Sequence, residues 1–435
     1  MFALLCVVIA SLLVSSVRAG YVQVGSKLSE TNGKRLGTKC AMSGDGGYAV
    51  AGSQSPHLEV YKRIGSTWQR IVSNLTPFDN TTSNTGVGIF SLSMNFDGSL
   101  IAAAGGRENA VWLFVRYNDS YFQMGPKLAP TGGLGLFNAA VALSRDGTKL
   151  VTVDTHGSGP YFYEVNSNAY SKMATLGTFT YIGYDAVAFA GNGLVVALGS
   201  PIDNVSQGSA WIYKVNQNKE WYQFGPKLVS LTRQGMGFSV ALSYDASVLV
   251  CGCSGDVMGV AGVAVFSFLE GNYVEQAPVT SFTGVSPNAG AGLFVALSED
   301  GSRLVVGGPF DEIDNIHLGA VWTFVRQGHN FTQDGPIITG SGYFASRDVL
   351  EGSSLGLSAS GDHLMIGGPY DHISLAYSGS LWFFDFVKPT HAPTSYPTKR
   401  RATSKPTRKG QTTSAPTKPK TSTPTKPRTP APTAF

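Results

Sequence analysis

The sequence predicts an all-β fold, a seven-bladed β-propeller closed by its own N-terminal strand and followed by a disordered C-terminal tail. Three observations predict it. A pattern of four short apolar stretches recurs seven times at a spacing of about 52 residues, no long helical pattern follows the first 19 residues, and the last repeat lacks a fourth stretch that occurs instead near the N-terminus. A four-stranded sheet of that period cannot bury both faces alone, so the units must stack and close into a ring.

The clearest unit runs from Leu293 to Ile338 as LFVALSEDG, RLVVGGP, GAVWTFVR and NFTQDGPII. Its first two strands meet at a turn that recurs at Asp45, Asp97, Asp146, Asn192, Asp245, Asp300 and Ser360. Asp-Gly at most of these turns predicts a tight two-residue hairpin, because Gly tolerates positive φ and Asp accepts local backbone N–H groups. The strands are almost uniformly apolar rather than alternating, as sheets covered on both faces require. The seventh unit stops after three strands at Val387, whereas residues 21–28 read YVQVGSKL and match the fourth strands YFQMGPKL at 121–128 and WYQFGPKL at 221–228. The N-terminal strand therefore completes the last blade, and deleting Tyr21 to Leu28 is expected to open the ring.

These units resemble FG-GAP repeats, those of the integrin α-subunit propeller and of many secreted surface proteins. The FG element is seen in GMGFSVALS and AGLFVALS, and the GAP element in Gly307-Gly308-Pro309, Gly367-Gly368-Pro369 and Gly199-Ser200-Pro201. The closest similarity is to the variant with a short S-x-D-G hairpin. Integrin-like blades hold calcium in a D-x-[DN]-x-[DN]-G loop, which is absent here, so no metal and no cofactor is expected. Propellers of the S-x-D-G-x-x-L class are the second resemblance and imply the same fold. The G-H and W-D marks of WD40 blades are missing.

Residues 1–19 read as a signal peptide, with an apolar run from Leu4 to Leu13 and Val17-Arg18-Ala19 before Gly20. A propeller then spans 20–387, and a tail 388–435. Three cysteines remain after cleavage, Cys40, Cys251 and Cys253, and are expected to be buried thiols rather than a disulfide framework. N-x-[ST] sequons at Asn74, Asn80, Asn118, Asn204 and Asn330 are candidate glycosylation sites. The tail holds 10 Pro, 13 Thr and 11 Lys or Arg with no acid, while 20–387 carries a net charge of −8. Such a tail forms no core and reads as an extended stalk, either a solvated spacer O-glycosylated on its Thr-Pro and Pro-Thr pairs or a dock for acidic polysaccharide or another anionic surface. Nucleic acid is not an expected partner, and no later stretch is apolar enough to span a bilayer.

Catalytic signals are weak. Gly352-Ser353-Ser354-Leu355-Gly356 matches G-x-S-x-G, but it sits at the FG position of the seventh unit, where a strand-turn-helix elbow cannot form. The histidines show no metal-ligand spacing. Two residues after the GAP proline, however, the units place Glu108, Asp203, Asp256, Asp311 and Asp371. These acids share a rim with the blade connections and form either a partial carboxylate ring that binds a ligand or a set of local turn caps. Tyr343, Phe344, Tyr370 and His372 on the same rim suit stacking on sugars or anchoring a protein. The expected function is secreted, surface-associated adhesion or recognition without enzymatic activity, the rim binding a glycan or cell-surface protein. A structural wall, coat or virion-surface role is the alternative, and a carbohydrate-active enzyme the third reading.

Overall fold

The protein was analysed as a computed structural model that describes residues 19–388, except 30–33, 55–56, 79–87, 106–109, 129–139, 154–159, 167–168, 176–185, 256–261, 314, 344–347 and 373–376. Residues 1–18 of the expected signal peptide and the tail beyond 388 lie outside the described residues. Seven antiparallel sheets form a seven-bladed β-propeller, six of them meanders of four strands and the seventh completed by two N-terminal segments, with a small hairpin of Glu312–Ile313 and Ile316–His317 added in blade 6. Blade 2 is typical, with strands Ile89–Met94, Leu100–Gly105, Ala110–Tyr117 and Ser120–Gln123. The first strand of every blade is innermost and packs on the first strands of its two neighbours, so that Ser354–Leu357 of blade 7 meets Lys39–Met42 of blade 1.

Uniformly apolar strands follow from this stacking. Seven buried clusters occupy the seven seams between blades. Successive side chains of one strand serve different seams. Leu100, Ala102 and Ala104 face blade 3, while Ile101 and Ala103 face blade 1, as the two-residue period of a strand dictates. Cys40 lies in the seam between blades 7 and 1, and Cys251 and Cys253 in that between blades 4 and 5. All three are free thiols, and burial pushes Cys40 and Cys253 up to about 12.

The repeated glycines have a common cause. At four seams a GAP-position glycine lies against the backbone of the next blade, leaving no room for a side chain. A Cβ on Gly199 would come 2.2 Å from the Gly237 carbonyl oxygen, and one on Gly307 2.3 Å from that of Gly352. Gly352 is the first residue of the G-x-S-x-G string, and Ser354 Oγ donates to the Gly37 carbonyl at 2.9 Å. That string is a packing element of the seam.

Blade 7 is closed as expected. Gly20–Gln23 pairs antiparallel with Ser380–Val387, in register from Gly20 opposite Val387 to Gln23 opposite Phe384, and Leu28–Ser29 rejoins the same strand opposite Leu381 and Ser380. Between the two segments Gly25 turns the chain at φ 74°. The Gln of this motif acts as a clamp. Gln23 donates to the Gly25 carbonyl at 3.0 Å and accepts the Ser341 N–H at 2.7 Å, tying the closing strand to the preceding blade connection. Gln333 binds Gly335 and the Thr283 N–H in the same way. Asp385 further seals the ring, accepting from Arg63 of blade 1 at 2.6 Å and contacting His363 at 2.8 Å.

One expectation needs correction. The turn between the first two strands is a four-residue connection, not a two-residue hairpin. In blade 1 the closing pair is Ser43 and Tyr48, whose N–H to carbonyl distance is 2.8 Å. The reason is side-chain chemistry. Asp45 Oδ1 accepts the Gly47 N–H at 2.8 Å and the Ser43 hydroxyl at 2.6 Å, while Ser43 Oγ accepts the Tyr48 N–H at 2.8 Å. The Ser and Asp thus stabilise a wider turn than Asp-Gly alone specifies. In keeping with the expected all-β fold, the helix among the described residues is a single turn, Asp203–Ser206.

Candidate functional site: the loop rim and the central channel

Loops joining the second and third strands share one rim with the blade connections. Of the predicted carboxylates, Asp203, Asp311 and Asp371 lie on this rim, and Glu108 and Asp256 fall outside the described residues. The three described acids do not form an open ring. Asp371 is buried, pairs with Lys27 and accepts from Ser380 Oγ at 2.6 Å. Asp203 repeats that arrangement in blade 4, taking Lys227 Nζ at 2.9 and 3.0 Å and Ser209 Oγ at 2.6 Å. Blade 6 reads GPII where blades 4 and 7 read GPKL and GSKL, and there Asp311 accepts the Ser286 N–H and hydroxyl, each at 2.7 Å. Each described acid is thus engaged by donors of its outer strand, third strand or incoming blade connection, an arrangement that is neither an open ring nor the cap of its own turn. Co-occurrence of the acid with the outer-strand Lys was the sequence signal for it.

Glu351, buried beside this anchor, was missed. Its Oε2 accepts the Gly340 N–H at 2.6 Å, while Oε1 has no hydrogen-bond partner. Burial raises its carboxyl well above the usual range and Asp371 adds to the rise, against the opposing pull of the Gly340 N–H and Lys27.

The aromatic predictions divide. Tyr343 is half-buried and packs on the core between blades 6 and 7, so it is not a free stacking platform. Phe344 lies outside the described residues. His372 is buried, its ring 4.5 Å from that of Tyr377. Tyr370 meets Tyr377 edge to face at 5.4 Å, and Arg35 lies over both rings at 4.4 and 5.0 Å. Arg35 also donates from Nη1 to the Tyr370 hydroxyl at 3.1 Å, and its N–H donates to the Tyr377 carbonyl at 3.1 Å. Tyr377 is 39% exposed. Neither Arg35 nor Tyr377 was singled out by sequence, because only the seam between blades 7 and 1 brings them together.

At the opposite end, the innermost strands line a central cavity of about 290 Å³. Its mouth is ringed by the second residues of the Ser-x-Asp-Gly turns. Backbone bonds run from blade to blade around it, including Phe96 N–H to Arg145 O at 2.9 Å and Glu299 N–H to Ala359 O at 2.8 Å. Arg145 Nε reaches across to both Glu299 oxygens at 3.0 and 3.2 Å, its guanidinium 3.4 Å above the Phe96 ring. This pair bars the mouth. The turn acids around it, Asp97, Asp146, Asp245 and Asp300, are partly desolvated, yet the Ser, Thr and backbone donors they collect outweigh that and lower their carboxyls below the usual range.

Sequons at Asn118 and Asn330 are exposed at hairpins between third and fourth strands. Asn74 is exposed and accepts from Lys34 Nζ at 2.9 Å. Asn204 lies in the single helical turn, and Asn80 outside the described residues. Among the described residues no group of three His, Cys, Asp or Glu is placed to hold a metal ion, and no helix is long and apolar enough to cross a membrane.

No family model matches the sequence, and no curated protein matches it. Solved structures share the fold. The β-propeller domain of Myceliophteria thermophila Cps50 (Swd1) is similar at TM-score 0.54 with 10% identity, covering 83% of this chain and 99% of that one. Kuenenia stuttgartiensis hydrazine synthase is similar at TM-score 0.54 with 11% identity, covering 80% of this chain and 96% of that one. At these identities the likeness establishes a β-propeller alone.

Proposed function

We propose that this chain is a secreted, non-enzymatic recognition protein of the FG-GAP type, whose loop rim binds a glycan or cell-surface protein and whose basic tail tethers it to an anionic surface. The observation that carries this reading is the exposed Tyr377 face, fixed by Tyr370, His372 and Arg35. A part-exposed aromatic held in place by its neighbours suits a sugar ring or an apolar anchor, since little side-chain entropy is lost on binding. The glycines packed at the blade seams support the FG-GAP resemblance by giving its motif a physical role.

The test is binding of the full-length protein and its Tyr377→Ala variant to whole cells and wall polysaccharides across a salt series. Binding that persists at high salt and falls in the variant supports recognition by the rim. Binding abolished by salt and indifferent to Tyr377 assigns it to the tail instead.

A further inference from the structure

We infer that the shelf formed by Arg35, Tyr370 and Tyr377 takes an anionic pyranose, a uronate or sulfated sugar residue. This deepens the rim-recognition reading and rests on it. Arg35 adopts φ 55°, in the left-handed region. At the corresponding positions, marked by the same parallel bridge into the preceding blade, stand Gly235 of blade 5 with φ 62° and Leu350 of blade 7 with φ 59°. The blade connection thus imposes the left-handed conformation at this position on arginine, glycine and leucine alike, and in blade 1 it fixes where the Arg35 side chain leaves the backbone. The bridge of Leu36 to Gly379 and the bond from the Arg35 N–H to Tyr377 do the holding.

That side chain is oriented but not neutralised. The guanidinium spans two tyrosine faces and spends one N–H on the Tyr370 hydroxyl, and no carboxylate pairs with it among the described residues. Its remaining donors form a fixed planar fork, the geometry that carboxylate and sulfate oxygens match in pairs. Tyr377, 39% exposed beside the fork, offers apolar ring surface to the C–H side of a pyranose ring. A fork and a flat ring side by side match a charged sugar better than an acidic peptide, whose extended backbone has no face to stack.

The experiment is calorimetric titration of the full-length protein with tetragalacturonate, a sulfated tetrasaccharide, uncharged maltotetraose and tetraglutamate. Arg35→Gly, Arg35→Lys and Tyr377→Ala variants are compared under identical salt, and the tail is common to all of them. The expected result is uronate or sulfate binding that weakens roughly 10- to 100-fold in Arg35→Gly, with a melting temperature no lower than that of the parent. Arg35→Lys keeps the charge but loses the fork, so the same direction of loss is expected even if Arg35→Gly folds poorly. Binding of the uronate alone or of the sulfated probe alone supports the inference and fixes the anion. Equal affinity for maltotetraose, lost only in Tyr377→Ala, overturns the anionic assignment and leaves rim recognition standing. Tightest binding of tetraglutamate overturns the sugar class in favour of an acidic peptide. Indifference of every probe to all variants overturns both the shelf and the rim reading.

Discussion

Replacing Lys27 by Met removes the ammonium that pairs with Asp371 at the point where the chain closes its own ring. The Asp371 side chain is fully buried and that of Lys27 is 18% exposed. Breaking a buried pair from one side leaves an uncompensated charge and costs about 3–5 kcal/mol, and the residual exposure of Lys27 places this pair near 3. With an unfolding entropy of ~2.1 cal/mol/K per residue over residues 20–387, a loss of ~3 kcal/mol lowers the melting temperature by ~4 °C. Thermal denaturation followed by circular dichroism reads the shift. Lys227→Met serves as the internal comparison, because Lys227 is 32% and Asp203 10% exposed, and a smaller loss of about 1–2 kcal/mol is expected. The double variant Lys27→Met/Asp371→Asn should recover part of the deficit, since no buried charge is left stranded. An unchanged melting temperature for Lys27→Met, or an equal fall in Lys227→Met, would refute the reasoning that burial at the closure makes this anchor critical.

Gly307→Ala drives a Cβ to 2.3 Å from the Gly352 oxygen, and an overpacking loss of about 1–3 kcal/mol should appear in urea unfolding. Glu351 has its carboxyl raised by burial above the ordinary 4.5, so folding holds a proton that the unfolded chain releases. Stability is then lost as pH rises from about that ordinary value through the raised one. Glu351→Gln should therefore leave stability near pH 4 unchanged and increase it by about 1–3 kcal/mol at pH 8, and equal effects at both pH values would count against it. Arg145→Ala removes the bar across the channel mouth, where Met42 and Met94 line the cavity. Peroxide should oxidise these methionines faster in the variant by mass spectrometry, with a stability loss of about 1–2 kcal/mol from the ion pair and the cation–π contact.

Much of the ring was legible because its signals are local. Blade number follows from the spacing of turns such as Asp97 and Asp300, and closure follows from the resemblance of residues 21–28 to other outer strands. The turn itself was less legible, since its width depends on Ser43 and Asp45 bonding one another and two backbone N–H groups. The candidate site was legible only in part. Tyr370 and His372 lie in the loop that sequence pointed to, but Tyr343 turned inward against the seam core and the acids were consumed by Lys27, Lys227 and Ser286.

By itself the sequence determined the strand content, the sevenfold repetition and the self-completing last blade, because period, apolarity and turn chemistry act over a few residues. Only the tertiary structure decided which polar groups are free to meet a ligand. Arg35 and Tyr377 lie more than 300 residues apart, as do Lys27 and Asp371. Their meeting depends on ring closure, where a long-range pairing sets one cation against half-buried Tyr370 and exposed Tyr377 and commits the other to a buried carboxylate.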